Sequence, residues 1–514
     1  MPPRAAASRT VERLRARKRH QGSLAALLAV SAAFVIAPAS ALGQFQLGIE
    51  DPLLNQPTPT ALSTAAFGTF RQLAASTTRV AVAWETVAPT GAAMPAGFNP
   101  SNPADPHYRW GSIDAAVRSA ADHGASPLFE IFTAPGWAQP PGKPADVSYF
   151  RGAWDPSATQ FRSFSLALAR RYSGNFPDPL QPGTDLPRVK LYEIWNEENI
   201  RYELAAPDPV GEYRSLLNAA YGAIKSIHED NVVAIGGLGN VGVARFSTPY
   251  GIRRYSISPL KFAAALMCLR RVGTHFVRSP TCPVRAHFDV LAVHPYTLAS
   301  TPTKHAYHYD DVLVGDMGKV RTLLQAAETL HTAAPNIEYG LWVTEWSWFS
   351  NPPNPVIGEP DAVAARYTAY GMYELWRSGV SLVIWLLIRY EPAYLNAPPA
   401  GKYGGALFTV SGEPTLKLRA FEFPVVAAVK GGRGFVWGRA PVKHKTQVFV
   451  QHAIGSRWRT IGRVRTTADG VFEFHFTARG NGRYRAQIKH GLVSLGYDST
   501  PIPPKRDRAF KGGG

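Results

Sequence analysis

The chain of 514 residues has only two cysteines, Cys268 and Cys282. With so few, and with no cluster of Cys and His ligands, we predict neither a metal site nor a cofactor. His305 and His308, in His305-Ala306-Tyr307-His308, fit an exposed loop better than a metal centre. Long apolar runs are also missing: after residue 41 no stretch approaches about 18 consecutive apolar residues, so we predict no membrane span in the mature chain.

Acidic residues are outnumbered by basic ones, and the formal net charge is +18. The excess lies at the two ends of the chain, with +6 in residues 1–41 and +13 in residues 426–514, whereas residues 42–425 carry 31 basic and 32 acidic residues. Because no basic stripe marks this middle region, we predict no nucleic-acid partner. The basic C-terminal region predicts attraction to an anionic cell-wall polymer, with a merely soluble accessory domain as the alternative.

The first 41 residues have the pattern of a signal peptide. A basic start from Arg13 to Arg19 precedes a short apolar run from Leu24 to Ile36, and Ala39-Ser40-Ala41 fits a cleavage site. We therefore expect a secreted or cell-surface protein, with an uncleaved signal anchor as the alternative. In an oxidising compartment Cys268 and Cys282 are expected to form a disulfide, which closes a loop of about 15 residues and stabilises the fold by roughly 3 kcal/mol.

Short apolar runs alternate with amphipathic segments over residues 42–425. The runs are Gln46 to Ile49, Arg79 to Trp84, Ser126 to Phe132, Val189 to Trp195, Val232 to Gly237, Phe288 to Val293, Tyr339 to Thr344 and Ser381 to Leu387. The intervening segments, such as Ser157 to Tyr172, have apolar residues at helical spacing. This alternation predicts an α/β fold, a closed (β/α)8 TIM barrel, whose catalytic residues lie at the carboxyl ends of the strands.

Two acids stand at such strand ends. Glu197 follows the fourth predicted strand, in Trp195-Asn196-Glu197, and Glu345 follows the seventh, in Thr344-Glu345-Trp346. Cleavage of a glycosidic bond needs one carboxylic acid that protonates the leaving oxygen and one carboxylate at the anomeric carbon. The pair therefore predicts glycosidic-bond chemistry on a poly- or oligosaccharide.

These two motifs, together with Arg79 on strand two and His294-Pro295-Tyr296 after strand six, resemble the motif set of clan A glycoside hydrolases. Within this clan the motifs resemble those of family 39 most closely, and family 5 is the close alternative. The resemblance implies a retaining double displacement on β-glycosidic bonds, with Glu197 as general acid/base and Glu345 as nucleophile. The chain departs from many relatives in having Glu198 where they have proline; strand alternation predicts that Glu198 faces away from Glu197 unless a bulge re-aims it.

Four neighbours have expected roles in substrate binding. Asn196 would donate a hydrogen bond to the sugar 2-hydroxyl, or else satisfy loop backbone. Arg79 would keep Glu345 ionised, although Glu193 on the same strand as Asn196 is an alternative partner. Tyr296 would donate its phenol hydrogen to Glu345 and His294 would line the same subsite; for both, a satisfied core residue is the alternative.

Aromatic side chains are expected to stack on sugar rings. Trp385, near the end of strand eight, and Trp137, in a loop, are the candidates for substrate binding, and ordinary core packing is the alternative for each. The same expectation, with the same alternative, applies to Trp84, Trp346, Trp348 and Tyr390.

The pattern changes after Phe423. Gly431-Gly432-Arg433-Gly434 resembles a linker, and residues 432–498 alternate with period two, which predicts a small all-β, immunoglobulin-like sandwich. Residues 499–514 are predicted to be a disordered basic tail. The competing function class is a non-catalytic carbohydrate-binding or cell-surface protein on a barrel scaffold, and sugar, linkage and exo or endo action stay open.

Overall fold

A computed structural model describes residues 44–499, except 57, 59, 145–151, 248–252, 283, 391–396 and 400–401. The predicted signal peptide, residues 1–41, and all but the first residue of the predicted tail lie outside the described residues. Within the part described, no helix has the length and apolar character needed to cross a membrane.

Eight parallel strands close into a barrel. They are β1 (Gln46–Glu50), β2 (Thr77–Ala83), β3 (Ser126–Phe132), β4 (Leu191–Ile194), β5 (Val232–Ile235), β6 (Val290–His294), β7 (Gly340–Trp346) and β8 (Leu382–Leu386). Each strand pairs with the next in the chain, and β8 pairs with both β7 and β1. The predicted (β/α)8 barrel is confirmed.

Helices surround the barrel. Those in the described residues are α1 (Ala61–Gln72), α2 (Trp84–Val87), α3 (Gly111–Asp122), α4 (Ala158–Arg171), α5 (Pro209–Lys225), α6 (Pro259–Leu266), α7 (Met317–Leu330), α8 (Asp361–Arg377) and α9 (Leu416–Glu422). Local sequence sets several of their starts. The Ser157 side chain caps α4 by accepting from the Gln160 N–H, and Asp208 caps α5 ahead of a proline at its first turn.

Strand alternation divides the barrel into an apolar interior and a polar mouth. The interior is filled by Leu128, Ala234, Val290, Ala292, Trp342, Leu382 and Ile384. Two residues further along the strands, the inward positions are polar, namely Glu50, Arg79, Glu130, Glu193, His294 and Thr344. Because all the strands are parallel, these side chains meet at one end of the barrel.

A hairpin carries the disulfide. Two short strands, Leu269–Val272 and His275–Arg278, pair antiparallel after α6. Cys268 and Cys282 flank this hairpin and are bonded to each other, with their Cα atoms 5.4 Å apart. The predicted disulfide is present, and it closes the base of the hairpin.

The C-terminal region folds as two antiparallel sheets. One contains β9 (Val425–Lys430), β10 (Arg433–Arg439) and β13 (Val471–Thr477); the other contains β11 (Gln447–Ile454), β12 (Arg457–Arg465), β14 (Arg483–Ile488) and β15 (Tyr497–Asp498). The all-β architecture is confirmed, and its first strand begins at Val425, ahead of the expected start at residue 432. Gly431 and Gly432, at φ 56° and 75°, form the tight turn between β9 and β10, so the linker interpretation of these glycines was wrong.

The sandwich and the barrel share one apolar core. Trp437 on β10 is fully buried, and its ring packs against Phe45, Tyr373 and Trp376 of the barrel, with centroids 6.5, 5.4 and 5.6 Å away. The Phe45 N–H donates to Asp469 Oδ2 at 2.6 Å. The two domains are therefore joined by packed side chains as well as by the chain.

Candidate active site

Glu197 is positioned by an irregular turn at the end of β4. Along the strand, Glu193 faces the barrel interior, whereas Tyr192 and Ile194 pack outward in the core. After the strand, Trp195 and Glu197 adopt positive φ angles of 74° and 43°, which side chains other than glycine rarely adopt. The turn leaves the Glu197 side chain 19% exposed at the barrel mouth.

Glu345 reaches the same mouth through a bulge in β7. Val343 pairs with Val383, but Trp346 pairs with Trp385, so β7 has one more residue than β8 over this stretch. A regular strand would turn Thr344 and Glu345 to opposite faces, whereas an extra residue re-aims one of them. Both side chains consequently contact site residues: Thr344 binds Glu193 and His294, and Glu345 binds Arg79.

The two acids lie close together. His294 Nδ1 is 3.1 Å from Glu197 Oε1 and 3.8 Å from Glu345 Oε2. Those two oxygens are therefore separated by no more than about 7 Å, so both acids are within reach of the same imidazole nitrogen.

Arg79, on β2, links the carboxylates of the site. Its guanidinium is 1% exposed and lies 2.7 Å from Glu193, 2.9 Å from Glu50, 3.1 Å from Glu130 and 3.4 Å from Glu345. It therefore pairs with both partners considered from the sequence, and more closely with Glu193. Arg79 Nη2 also donates to Asn196 Oδ1 at 3.1 Å, which leaves the amide NH2 group of Asn196 as a donor.

Tyr296 and His294 each contact one of the two acids. The Tyr296 hydroxyl donates to Glu345 Oε1 at 2.6 Å, as expected. His294 lies between Glu197 and the Thr344 hydroxyl, which is 3.2 Å from Nε2. Burial lowers the pKa of His294, but the negative charges of Glu345 and Glu197 outweigh that effect and raise it overall. Gly237 makes room for this ring, because a Cβ there would lie 1.8 Å from His294 Nε2.

Hydrogen bonding fixes the His294 tautomer. The Thr344 hydroxyl donates its single hydrogen to Glu193 Oε1 at 2.5 Å, so its oxygen accepts from His294 Nε2–H. Nδ1 is then left facing Glu197. The Nδ1–Oε1 distance to Glu197 is 3.1 Å, so the imidazole and this acid are in direct contact.

The site contains more acids than cations, and burial keeps several of these acids protonated. Burial raises the pKa of Glu130 well above its usual range and raises that of Glu50, in both cases against the lowering effect of Arg79. Glu203, in the loop after β4, has its pKa raised to about 8 by burial and by the charges of Glu197 and Glu345. At neutral pH Glu203 is therefore largely a neutral acid.

Three of these acids, Glu50, Glu130 and Glu203, were not identified from the sequence. The strand pattern in the sequence could have identified Glu50 and Glu130, since each occupies an inward position in its strand, as Arg79 and Glu193 do. Glu203 had no such signal, because it belongs to an irregular loop. Its backbone carbonyl accepts from the Trp195 indole at 2.8 Å, which ties that loop to the site.

Glu198 is directed away from the site, as expected. Its side chain is fully buried on the α5 side of the barrel, where a Cβ on Gly236 would lie 2.4 Å from its Oε2. Burial raises the pKa of Glu198 well above its usual range, so the residue is neutral at physiological pH.

The structure does not place Trp385 as a sugar platform. Leu382 and Ile384 face the barrel interior, so Trp385 lies one residue out of phase and points outward. It is 0% exposed, its ring packs on Phe421 of α9 with centroids 4.7 Å apart, and its N–H donates to the Gly405 carbonyl. Core packing, the alternative interpretation, describes it correctly.

The other aromatic candidates are either buried in the core or only partly buried. Trp84, Trp346 and Trp348 are at most 1% exposed and Tyr390 is buried, so these four pack in the core. Trp137 is only partly buried: its ring packs edge-on against Trp84 and Phe98, and its N–H donates to the Pro89 carbonyl at 2.8 Å. Sugar binding by Trp137 stays a prediction.

Across the described residues, no group of His, Cys, Asp and Glu is arranged to hold a metal ion.

The chain matches no protein-family model and no characterised protein sequence. Its structure is similar to a family 39 glycoside hydrolase from the gut symbiont Bacteroides cellulosilyticus WH2, with 16% identity and a TM-score of 0.51 over 85% of this chain and 81% of that one. A family 39 enzyme from Xanthomonas axonopodis pv. citri aligns at 15% identity with a TM-score of 0.46, over 85% of this chain and 92% of that one. A family 30 endoxylanase from Clostridium papyrosolvens C71 aligns at 12% identity with a TM-score of 0.47, over 89% of this chain and 98% of that one. The first of these similarities supports the barrel fold that the clan A resemblance predicted.

Proposed function

We propose that this chain is a retaining β-glycoside hydrolase that acts on a poly- or oligosaccharide, with Glu345 as nucleophile and Glu197 as general acid/base. The observation that carries the proposal is the placement of two partly exposed acids at the ends of β4 and β7, both within 4 Å of one imidazole nitrogen. Of the other acids that bind Arg79, Glu193 and Glu130 are at most 7% exposed, and Glu50, at the end of β1, is 22% exposed.

In the first step, the Glu345 carboxylate attacks the anomeric carbon while the glycosidic bond breaks. Arg79 and the Tyr296 hydroxyl hold one Glu345 oxygen each, which orients the carboxylate toward the anomeric carbon. Glu197, as general acid, gives its proton to the leaving oxygen. The Asn196 amide donates toward the sugar 2-hydroxyl, a contact that strengthens in the transition state.

In the second step, Glu197 acts as a base. It takes a proton from water, which attacks the anomeric carbon and releases Glu345. Because each displacement inverts the anomeric centre, the two together retain its configuration.

The proposal is tested with Glu345→Ala and Glu197→Ala, each assayed on aryl glycosides with good and poor leaving groups. Glu345→Ala should lose turnover on every substrate. Glu197→Ala should lose about 10²–10⁴-fold with poor leaving groups and much less with good ones, because only the former need a proton. Azide should then restore turnover of Glu197→Ala on substrates with good leaving groups and give a glycosyl azide with retained anomeric configuration.

A matched control is Glu338→Ala. Glu338 precedes the other end of β7, is 45% exposed and lies 3.5 Å from Arg321, so its loss should leave every rate unchanged. Equal losses in the two site variants on both kinds of leaving group would contradict the assignment.

Export is part of the same proposal. The basic and apolar pattern of residues 1–41 and the Cys268–Cys282 disulfide both support it. Fractionating producing cells and sequencing the amino terminus of the mature protein tests it: a start near residue 42 in the external fraction is expected, and an unprocessed cytoplasmic chain would contradict it.

A further inference from the structure

The outer face of the four-stranded sheet in the sandwich is rich in arginine. Val448 and Val450 on β11 are fully buried toward the other sheet, so the alternate residues of β11 and their paired neighbours face outward. On this basis Arg463 and Arg465 project outward from β12, and Arg483 and Arg485 from β14. We refer to these four residues, with Trp458 and Gln451 between them, as the arginine face.

The centre of the arginine face is ordered by its own contacts. The Arg485 guanidinium lies 4.4 Å from the Trp458 ring centroid and donates to Gln451 Oε1 at 2.7 Å. Gln451 in turn donates to Gln487 at 3.0 Å. The backbone at Gly496 packs closely against this centre, because a Cβ there would lie 2.7 Å from Arg483 Nε and 3.0 Å from Trp458. An aromatic ring and planar donors are thus held at fixed positions before any ligand binds.

Most of the charge of the arginine face is left unpaired by the residues that the structure describes. Arg463 and Arg465 form no ion pair with any residue that the structure describes, and Arg483 lies 3.9 Å from the exposed Asp498. Residues 426–498 contain 13 basic and 3 acidic residues, whereas the barrel is close to neutral. A partner that covers this face must therefore bring negative charge.

We propose that the arginine face binds a polyuronate, a polysaccharide whose sugar rings carry carboxylates. Guanidinium groups bind carboxylates bidentately, and sugar rings present apolar faces that stack on an aromatic side chain such as Trp458. An extended polymer matches a flat sheet better than a compact anion does. The choice of a polysaccharide rests on the proposed function, in which the barrel cleaves glycans; the face would then hold the enzyme on a charged matrix while the barrel mouth stays free.

The test measures binding of the full chain to polygalacturonate and to alginate at low and high salt, with uncharged dextran as the reference polymer. The double variant Arg463→Ser/Arg465→Ser should bind about tenfold more weakly at low salt and show a shallower salt dependence. The reason is that salt screens the attraction between these two arginines and the polymer, and the variant no longer has that attraction. Trp458→Ala should weaken binding by a similar factor at both salts, because stacking is little screened.

The matched control is Lys430→Ser/Arg433→Ser, which removes the same charge from exposed positions at the β9–β10 turn of the other sheet. It should keep the wild-type affinity. Equal weakening by both double variants would show that net charge alone is responsible and would overturn the assigned face.

The proposal also fails if the wild type does not bind either polyuronate, or if it binds single-stranded DNA or phosphatidylglycerol vesicles more tightly than both. Every variant is expected to hydrolyse a small aryl glycoside at the wild-type rate, and this result confirms that the variant is folded. Binding is measured independently of hydrolysis. A chain that binds polyuronate but hydrolyses no glycoside would therefore refute the proposed function and still support binding by the arginine face.

Discussion

Replacement of Arg79 by methionine is expected to destabilise the protein in a pH-dependent way. The guanidinium is 1% exposed and has carboxylates of four residues within 3.4 Å, so its loss leaves buried acids without their cation. Breaking a buried ion pair in this way costs about 3–5 kcal/mol of unfolding free energy when the acids are ionised.

The pH dependence follows from the direction of the pKa shifts. Arg79 lowers the pKa of Glu50 and Glu130, which burial raises, so without Arg79 both values rise further above those of the unfolded chain. The folded variant then binds protons that the unfolded chain has released, and its stability falls as pH rises through the raised pKa values. The deficit of Arg79→Met relative to wild type should therefore grow as pH rises.

Urea unfolding of both proteins at about pH 5 and about pH 8 measures this deficit. Arg439→Met is the matched control, because Arg439 is also fully buried but donates to the backbone carbonyls of Leu73 and Ala74 instead of to acids. Its deficit should be the same at both pH values. A deficit for Arg79→Met that does not grow with pH would refute the charge argument for this cluster.

Three further results are expected. Tyr296→Phe removes the 2.6 Å hydrogen bond to Glu345 and should lower kcat by about 10- to 150-fold while leaving the thermal midpoint nearly unchanged; a steady-state kinetic comparison measures this, and an unchanged kcat would contradict it. Replacing Cys268 and Cys282 by serine should lower the free energy of unfolding by roughly 3 kcal/mol in urea titrations, and reductant should affect only the wild type. Because the Arg79 guanidinium is already bound to four acidic side chains, it is not available to a sugar carboxylate, and an aryl β-glucuronide should be hydrolysed at least about tenfold more slowly than its neutral counterparts on the same leaving group; comparable kcat/KM values would contradict this.

Much of the barrel was predictable because parallel strands buried on both faces have a distinct apolar signature. The acids at the ends of β4 and β7 were predictable for a related reason: an ionisable residue that follows a buried strand marks the barrel mouth. The sequence did not reveal that Glu345 reaches the site through a bulge, since a bulge depends on pairing with Trp385 and its neighbours across the sheet.

The errors have equally specific causes. Trp385 was placed on the correct strand but with the wrong face toward the site, because its indole is turned outward by the same alternation that turns Ile384 inward. Gly431 and Gly432 both have positive φ and form a tight hairpin turn, and glycine-rich composition alone does not distinguish such a turn from a linker. The linker interpretation left β9 (Val425–Lys430) out of the sandwich, and with it the core that the two domains share.

The covalent intermediate gives the most direct test of the central claim. The protein is incubated with the 2-deoxy-2-fluoro glycosyl fluoride of the sugar whose aryl glycoside it hydrolyses, then digested and analysed by mass spectrometry. A retaining enzyme with this site should carry the fluorosugar on Glu345, and Glu345→Ala should carry none. Labelling of Glu197 or any other residue, or an inverted product with no label, would contradict the account.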